Sequence, residues 1–330
     1  MQKIGIIGAG AWGTALAMTA RRAGRDVVIW ARDAGVAETI NGRRENPLYL
    51  PGAALDPAIR ATSDIAEAAE SDALLLVTPA QHLRGVSRNL APCLDAGRPV
   101  VVCAKGIERE TGRLMSEVLA ETLPESPPAV LSGPTFAAEV ARGQPAAATL
   151  AAEDADLGGG LVAALGSRSF RPYLCDDPVG AQIGGAVKNV IAIACGIVAE
   201  RKLGENARAA LITRGLAEIA RLGRAKGARP ETLMGLSGLG DLTLTCTNRL
   251  SRNYSLGEAL GRGRALEAEL AGRRTVAEGV FSAAAVTALA ERFGIEMPIS
   301  AAVDAILNRG AGIDASIEAL LARPFKAESL

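Results

Sequence analysis

The pattern of apolar and polar positions changes near residue 178. Before that point, short aliphatic runs alternate with segments of helical periodicity, which is typical of βαβ units and a mainly parallel sheet. After it, helical segments follow one another, separated by turns such as KGARP and GIEMPIS. The pattern therefore predicts an α/β domain over residues 1–178 and an all-α domain over residues 179–330.

Strands and helices alternate in the predicted first domain. Strands are predicted at Lys3–Ile7, Asp26–Trp30, Ala73–Thr78, Pro99–Cys103, Ala129–Leu131, Ala146–Ala151 and Phe170–Leu174. Helices are predicted near Trp12–Ala23, Ala80–Leu90, Thr111–Leu123 and Ala155–Leu165. The segment Arg43–Ala58 is rich in proline and asparagine and is predicted to be a surface loop.

The first strand leads directly into a glycine motif, in which Gly8, Gly10 and Gly13 have GxGxxG spacing. Gly8 permits a tight turn, Gly10 lets the backbone approach a pyrophosphate, and Gly13 allows close helix–strand packing. The N-terminus of the following helix offers N–H groups to phosphates. In this context the motif predicts a Rossmann-like domain that binds NAD or NADP.

The end of the second strand bears on the choice of cofactor. An acid that binds the adenosine ribose is usual there, but this chain has Arg32 followed by Asp33. An arginine can pair with a ribose 2′-phosphate, which favours NADPH. The alternatives are that Arg32 is solvated at a helix start, and that Asp33 caps this helix or binds the ribose.

A lysine interrupts the most apolar segment, QIGGAVKNVIAIACGIVAE, residues 182–200. At helical spacing Lys188 shares a face with Gly184 and Ile191, which should be buried. A buried ammonium is unfavourable unless it is paired, so a chemical role is one interpretation and a lysine that extends to water is the other. The segment is short for a membrane span and is predicted to be a buried helix, without stable membrane insertion.

Several turns carry polar groups suited to binding anions. Lys105 follows a predicted strand, and strand-end loops supply donors to ligands in open α/β sheets. In the helical half, Ser251 could cap a helix whose first turn contains Arg252 and Asn253, where the arginine would bind a phosphate. Taken singly, these features are equally compatible with ordinary turns and a surface arginine.

Composition and charge exclude several classes of function. Lys and Arg together equal Asp and Glu at 36 each, so there is no general basic field to attract nucleic acid. The single histidine, His82, is expected at a structural or rim position and cannot build a His-rich metal centre. The five cysteines are widely spaced and are expected to be core thiols. No metal site is predicted. The chain starts with MQK directly before the first strand, without the pattern of a signal peptide, which favours a cytoplasmic protein.

Eight segments, in order, resemble the bacterial NAD(P)-dependent glycerol-3-phosphate dehydrogenases. They are GAGAWGTALA, CAKGIERETG, LSGPTFAAEVARG, GGAVKNVIAIACGI, LITRGLAEIARLG, GLGDLTLTCT, SRN and VAEG. The resemblance implies a Rossmann domain followed by a helical domain. It also implies reduction of dihydroxyacetone phosphate to sn-glycerol 3-phosphate, which supplies glycerophospholipid synthesis.

The resemblance also assigns roles by position. It implies that Lys188 accepts and donates the proton and that Lys105 contacts both cofactor and substrate. The other family substrate positions are Gly133, Thr135, Asp241, Ser251, Arg252 and Asn253. The other family cofactor positions are Ala11, Trp12, Arg32, Ala137, Arg252, Val276 and Glu278. Some family members have a hydroxyl residue at the position of Ala11 and histidine at that of Arg32, so the contact at Ala11 is reduced here to its backbone.

Hydride transfer to a ketone leaves charge on oxygen, so the site needs a nearby proton donor. Lys188 meets this need, and a neighbouring Lys105 would lower its pKa. Asn189 and Asp241 are expected to orient the ammonium, and Thr245 is expected to shape the site. The predicted catalytic residues are Lys188, Lys105 and Asp241.

Two alternatives to this function are a β-hydroxyacid dehydrogenase and a non-catalytic dinucleotide sensor. The first also joins a Rossmann domain to a helical domain with a catalytic lysine, but the DLTLTCT and SRN segments favour a phosphorylated triose. A sensor would not need Lys105, Lys188 and Asp241. A homodimer is a further expectation.

Overall fold

The computed structural model describes residues 1–271, 277–325 and 327–328. The chain forms two compact units: residues 1–104 with 115–178, and residues 105–114 with 179–330. The predicted boundary placed 105–114 in the first domain, whereas this segment belongs to the second unit. Ile107 and Leu114 form a β-bridge, and both are fully buried in the hydrophobic core of that unit. Burial of these two side chains explains the difference.

Strands and helices alternate in the first unit. Its elements are β1 (Lys3–Ile7), α1 (Ala11–Arg22), β2 (Asp26–Trp30), α2 (Ala34–Arg43), β3 (Glu45–Asn46), β4 (Leu50–Ala54), β5 (Arg60–Thr62), α3 (Ile65–Ala69), β6 (Ala73–Leu76), α4 (Ala80–Leu90), β7 (Val100–Val102), α5 (Met115–Thr122), β8 (Pro128–Ser132), α6 (Ala137–Ala141), β9 (Ala146–Ala151), α7 (Ala155–Leu165) and β10 (Phe170–Cys175). A short 3₁₀ turn, Ala91–Cys93, follows α4.

The strands of the first unit, all of whose residues are described, form one eight-stranded sheet and a separate hairpin. The order in the sheet is β10-β9-β8-β7-β6-β1-β2-β5. Its pairings are parallel except that between β8 and β9. The central strands β6 and β7 are buried on both faces, as helix-covered parallel strands require. The predicted mainly parallel Rossmann-like sheet is confirmed.

The predicted surface loop at Arg43–Ala58 is wrong. This segment contains the antiparallel hairpin of β3 and β4, in which Asn46 lies opposite Leu50. Pro51 and Gly52 lower the strand propensity of β4, but backbone pairing and tertiary contacts of the buried Asn46 outweigh that local preference. The short elements β5 and α3 were also not predicted.

Apart from the Ile107–Leu114 bridge, the described part of the second unit consists of helices and turns, which confirms the predicted all-α region. Its helices are α8 (Pro178–Glu200), α9 (Glu205–Ala225), α10 (Pro230–Leu233), α11 (Asp241–Thr247), α12 (Arg252–Gly261), α13 (Leu266–Ala271), α14 (Glu278–Phe293), α15 (Pro298–Asn308) and α16 (Ile313–Leu321), with a π-helical turn at Leu236–Gly240.

The helix α8 forms the centre of the second core. Its residues 180–197 are all buried. The helix α8 is long enough and apolar enough to cross a membrane, but 94% of its most apolar 18-residue stretch is buried inside the protein. The helix begins at Pro178 and is therefore longer than the segment that was judged short for a membrane span, but it is packed as a core helix, as predicted.

Candidate active site

The three motif glycines meet three different structural requirements. Gly8 has a φ of +124°, which L side chains rarely adopt. A Cβ at Gly13 would lie 1.8 Å from the carbonyl oxygen of Gly8, so α1 can pack on this loop only without a side chain. A Cβ at Gly10 would meet no atom within 4 Å. Gly10 is therefore the one of the three that the fold itself does not require.

The N-terminus of α1 fits an anionic ligand. Its N-cap is Gly10, which supplies no side-chain hydrogen bond, and its first turn contains no acidic residue. Such a helix end presents N–H groups and the positive end of the helix dipole. The indole Nε1 of Trp12 is shielded from solvent and has no hydrogen-bond partner among the described residues. Ala11, also in the first turn, is half-buried. These features fit the pyrophosphate of a dinucleotide.

A residue outside the motif holds this loop. Asn46 donates two hydrogen bonds from Nδ2, to the carbonyl oxygen of Ala9 and to Oγ1 of Thr14, each at 2.8 Å. Sequence reasoning missed Asn46, because the only signal was an asparagine in a segment predicted to be a loop.

After the end of β2, Asp33 caps the next helix, which is one of the roles proposed for it from the sequence. Asp33 is the N-cap of α2, and its carboxylate accepts a hydrogen bond from the Gly35 N–H at 2.8 Å. Arg32 is exposed beside it. The carboxylate is engaged in capping, so Arg32 is the charged side chain at this point that is open to a ribose substituent.

The loop after β8 and the start of α6 carry three of the predicted contacts. Gly133 is buried, and Thr135 is half-buried and donates its hydroxyl to the Gly133 carbonyl oxygen at 3.2 Å. Ala137 begins α6 and is half-buried. The predicted ligand contacts of these three residues remain predictions.

In the second unit, two lysines share one carboxylate. Lys188 Nζ lies 2.7 Å from Oδ1 of Asp241, and Lys105 Nζ lies 2.7 Å from Oδ2. The side chain of Asp241 is 1% exposed, that of Lys188 8% and that of Lys105 17%. The predicted catalytic residues are therefore brought together in the structure. These three groups carry one net positive charge, which favours an anionic substrate.

The hydrogen bonds of the Lys188 ammonium leave room for a ligand. It donates to Asp241 and, at 2.8 Å, to Oγ1 of Thr245. Thr245 in turn donates to Asp241 Oδ1 at 3.3 Å. These are the partners of the ammonium among the described residues, and an ammonium has three N–H donors. The third N–H is available to a substrate oxygen.

Close packing explains how Asp241 reaches Lys188. A Cβ at Gly184, one helical turn before Lys188, would lie 2.5 Å from the carbonyl oxygen of Ser237. The missing side chain lets the π-helical turn Leu236–Gly240 lie against α8, and Asp241 follows that turn directly. The glycine at position 184 thus allows the carboxylate to lie beside the lysine.

Burial lowers the pKa of Lys188 to about 8. This value includes two opposing charges: the nearby carboxylate of Asp241 raises the pKa, and the positive charge of Lys105 lowers it. Near neutral pH the ammonium form therefore predominates but gives up its proton readily. This is the property required of a general acid that also acts as a base.

Asn189 orients a different group from the one predicted. Its Nδ2 donates to the carbonyl oxygens of Lys105 and Gly185, each at 3.3 Å, and not to or from the Lys188 ammonium. Its Oδ1 accepts from Asn253 Nδ2 at 2.9 Å. Asn253 also accepts from the Gly279 N–H at 3.0 Å. The two asparagines thus join the Lys105 segment to α8, α12 and α14.

The start of α12 follows the prediction for its cap. Ser251 is the N-cap, and its hydroxyl accepts from the Tyr254 N–H at 3.2 Å. Arg252 is exposed in the first turn, which suits an arginine that meets a ligand. Glu278 begins α14. Val276, another predicted cofactor contact, lies outside the described residues.

Two expectations about single residues have mixed outcomes. His82 is exposed in the first turn of α4, which agrees with a rim position. Cys103, Cys195 and Cys246 are buried, but Cys175 is only partly buried and Cys93 is exposed. The expectation that all five cysteines are core thiols is therefore wrong for Cys93.

Comparison with known families covers both units. The family model described as NAD-dependent glycerol-3-phosphate dehydrogenase N-terminus matches residues 3–158, and the model for the C-terminus of the same enzyme matches residues 177–318. The chain is 59% identical over 328 residues to a glycerol-3-phosphate dehydrogenase [NAD(P)+] of Parvibaculum lavamentivorans, covering 99% of this chain and 98% of that protein. It is also 59% identical over 326 residues to that of Rhodospirillum rubrum, covering 98% and 93%.

A solved structure gives the same result. The glycerol-3-phosphate dehydrogenase of Coxiella burnetii superposes with a TM-score of 0.94 at 38% identity, covering 98% of this chain and 99% of that chain. The family models together span most of both units, and the relatives match nearly end to end. The chain therefore belongs to the NAD-dependent glycerol-3-phosphate dehydrogenase family.

Proposed function

We propose that this protein catalyses the reversible reduction of dihydroxyacetone phosphate to sn-glycerol 3-phosphate with NADH or NADPH. The observation that carries the proposal is the buried group of Lys188, Asp241 and Lys105, in which both lysines lie 2.7 Å from the same carboxylate. A cationic group with a spare N–H donor suits a substrate with a carbonyl and a phosphate. The product supplies glycerophospholipid synthesis.

Lys188 is the general acid of the reduction. When bound, the nicotinamide supplies a hydride to the substrate carbonyl carbon. The third N–H of Lys188 donates to the carbonyl oxygen and transfers its proton as negative charge develops there. Asp241 and Thr245 hold the ammonium in place through its other two N–H groups. In the reverse direction the neutral amine takes the proton from the alcohol.

Lys105 and the start of α12 bind the rest of the substrate. Lys105 adds a second positive charge, fixed by Asp241 and by the bond from Asn189 to its carbonyl oxygen. Arg252, beside the capped N-terminus of α12, anchors the phosphate with a planar pair of N–H donors. Ser251 and Asn253 contribute the backbone of this turn.

The first unit binds the cofactor. Gly8, Gly10 and Gly13 with the first turn of α1 hold the pyrophosphate, and Trp12 offers its unpartnered indole N–H. Arg32 lies at the position of the ribose edge and favours NADPH, because a guanidinium pairs with a 2′-phosphate. Ala11 and Ala137 are the remaining proposed contacts in this unit.

The pH dependence of the two directions is expected to be opposite. Reduction requires the ammonium, so kcat/KM for dihydroxyacetone phosphate should fall as pH rises through the Lys188 pKa of about 8. Oxidation of glycerol 3-phosphate requires the neutral amine, so its kcat/KM should rise through the same pH. The measurement is initial velocity against pH in both directions at saturating cofactor.

Two variants test whether this change of kcat/KM with pH, the limb of the pH profile near pH 8, reflects titration of Lys188. Asp241→Asn removes the charge that raises the Lys188 pKa, so the limb should move to lower pH. Lys105→Met removes the charge that lowers it, so the limb should move to higher pH. Both variants will be slower in absolute rate, and the position of the limb is what is compared. A limb that stays fixed, or that moves in the same direction in both variants, would contradict the assignment.

A test of the cofactor site is Gly10→Ala. A Cβ at this position meets no protein atom within 4 Å, and Gly10 has a negative φ of −72°, so the fold should be unaffected. A methyl group placed against a bound pyrophosphate would crowd it, and overpacking typically costs about 1–3 kcal/mol. The dissociation constants of NADH and NADPH should therefore rise by about tenfold or more. They can be measured by fluorescence titration.

The control for that variant is Gly85→Ala on α4, where a Cβ also meets nothing within 4 Å. It should leave both dissociation constants unchanged. Wild-type affinity in Gly10→Ala would mean that the cofactor does not lie against this loop.

The direct test of the proposed reaction follows the absorbance of NADH or NADPH on addition of dihydroxyacetone phosphate. Oxidation of either cofactor that depends on this substrate supports the proposal. An absence of oxidation with both cofactors, in protein that binds them, would leave a non-catalytic dinucleotide sensor. Cytoplasmic location and a homodimer remain predictions.

A further inference from the structure

We infer that Asn46 is a positioning residue for the cofactor, acting on the glycine loop from outside the motif. The inference rests on the proposed cofactor site at Gly8–Gly13. Asn46 is 1% exposed and lies on β3, in the hairpin whose sequence is typical of a loop. Its carboxamide makes two hydrogen bonds of 2.8 Å, one to each side of Gly10.

The first bond fixes the peptide between Ala9 and Gly10. The carbonyl oxygen of Ala9 accepts from Asn46 Nδ2. The chain contains no cis peptide bond among the described residues, and the C=O and N–H of a trans peptide point in opposite directions. The N–H of Gly10 is therefore turned away from Asn46.

The second bond fixes the next peptide through Thr14. Thr14 Oγ1 accepts from Asn46 and donates to the Gly10 carbonyl oxygen at 2.9 Å. By the same geometry the N–H of Ala11 is turned away from Thr14. The N–H groups of Gly10 and Ala11 are thus both oriented by one buried side chain. They are the donors that a pyrophosphate meets at such a loop.

The hairpin that carries Asn46 is itself braced. Glu45 accepts a hydrogen bond from the Gly52 N–H at 2.8 Å, and the Leu55 N–H donates to the Arg44 carbonyl oxygen at 2.8 Å. Both bonds join the β3 side of the hairpin to the β4 side. Asn46 is therefore held in place independently of the loop that it positions.

The test is the dissociation constant of NADH, NADPH and ADP-ribose for Asn46→Ala. Loss of a preorganising hydrogen bond at the loop should raise all three by about tenfold. The three should change equally, because the pyrophosphate is common to them. In steady-state assays the KM for cofactor should rise, while kcat and the KM for dihydroxyacetone phosphate should stay within about twofold.

Asn41→Ala is the matched control. Asn41 also lies in the first unit, and its carboxamide bonds the backbone N–H and carbonyl oxygen of Ala61, far along the chain from the motif. Its loss should lower the thermal midpoint without a change in cofactor affinity. Asn46→Asp, which keeps the shape and removes the donor, provides a second variant in case the alanine variant does not fold.

Three results would overturn the inference. They are an affinity within about twofold of wild type in a folded Asn46 variant, an affinity loss in Asn41→Ala equal to that in Asn46→Ala, and a loss confined to NADPH. These outcomes differ from failure of the proposed function. If wild-type protein bound no dinucleotide, or if Gly10→Ala bound it normally, the cofactor site would be misplaced whatever Asn46 does.

Discussion

Lys188→Ala is expected to lower kcat for reduction of dihydroxyacetone phosphate by about 10²–10⁴-fold, the usual contribution of a positioned general acid. The lost group acts on charge that develops in the transition state, so kcat and kcat/KM should fall together. Cofactor affinity should survive. Asp241 keeps its bond to Lys105 in this variant, so the substitution does not leave a buried carboxylate without a partner.

Two comparisons make this expectation specific. Lys226→Ala removes a half-buried lysine from the same unit, at the end of α9, and should leave kcat unchanged. A small primary amine added to Lys188→Ala should restore some activity, with a pH dependence set by the pKa of the added amine. Near-wild-type turnover in correctly folded Lys188→Ala would exclude Lys188 as the proton donor.

Arg252→Ala should lower kcat/KM for dihydroxyacetone phosphate by at least about tenfold, because a hydrogen bond to a charged group contributes roughly 1.5–3 kcal/mol. Activity on unphosphorylated dihydroxyacetone should fall much less, since that substrate has no phosphate to anchor. Lysine at this position should restore binding only in part, because a point charge cannot reproduce the planar pair of donors. Steady-state kinetics with the two substrates provide the measurement.

The control is Arg262→Ala, at the opposite end of α12. Arg262 forms an exposed salt bridge with Glu200, and its removal should affect neither substrate. Equal losses for the two substrates in Arg252→Ala would place Arg252 on the cofactor or the scaffold. The phosphate anchor would then be sought at Lys105 or in the backbone of Ser251–Asn253.

The strands β1, β2 and β9 could be predicted to the residue, because a run of aliphatic side chains bounded by turn residues has few other structures open to it. The hairpin of β3 and β4 could not. Its sequence, with Pro51 and Gly52, has weak strand propensity, and its stability comes from pairing and from the buried Asn46, which are tertiary properties.

The same division applies to the site. Lys188 was noticeable because a charge in an apolar helix conflicts with its surroundings, and such conflicts occur at functional positions. Its partner Asp241 is 53 residues away and was assigned by resemblance, since helical periodicity does not reveal which helix packs against which. The role of Asn189 was misplaced for a related reason. Adjacent residues on a helix point in different directions, so Asn189 meets the Lys105 carbonyl oxygen while Lys188 meets Asp241.

The segment 105–114 has a consequence for how the two halves of the gene can be exchanged. A cut at residue 178 divides the sequence where its pattern changes, but the half that begins at 179 would lack Lys105 and the fully buried Ile107 and Leu114. A chimera that joined residues 1–178 of this chain to the helical half of a relative would place this chain's Lys105 and two core side chains in a foreign core. A chimera that keeps the second core intact must exchange segment 105–114 together with the helical half. The unit of recombination is therefore discontinuous in sequence.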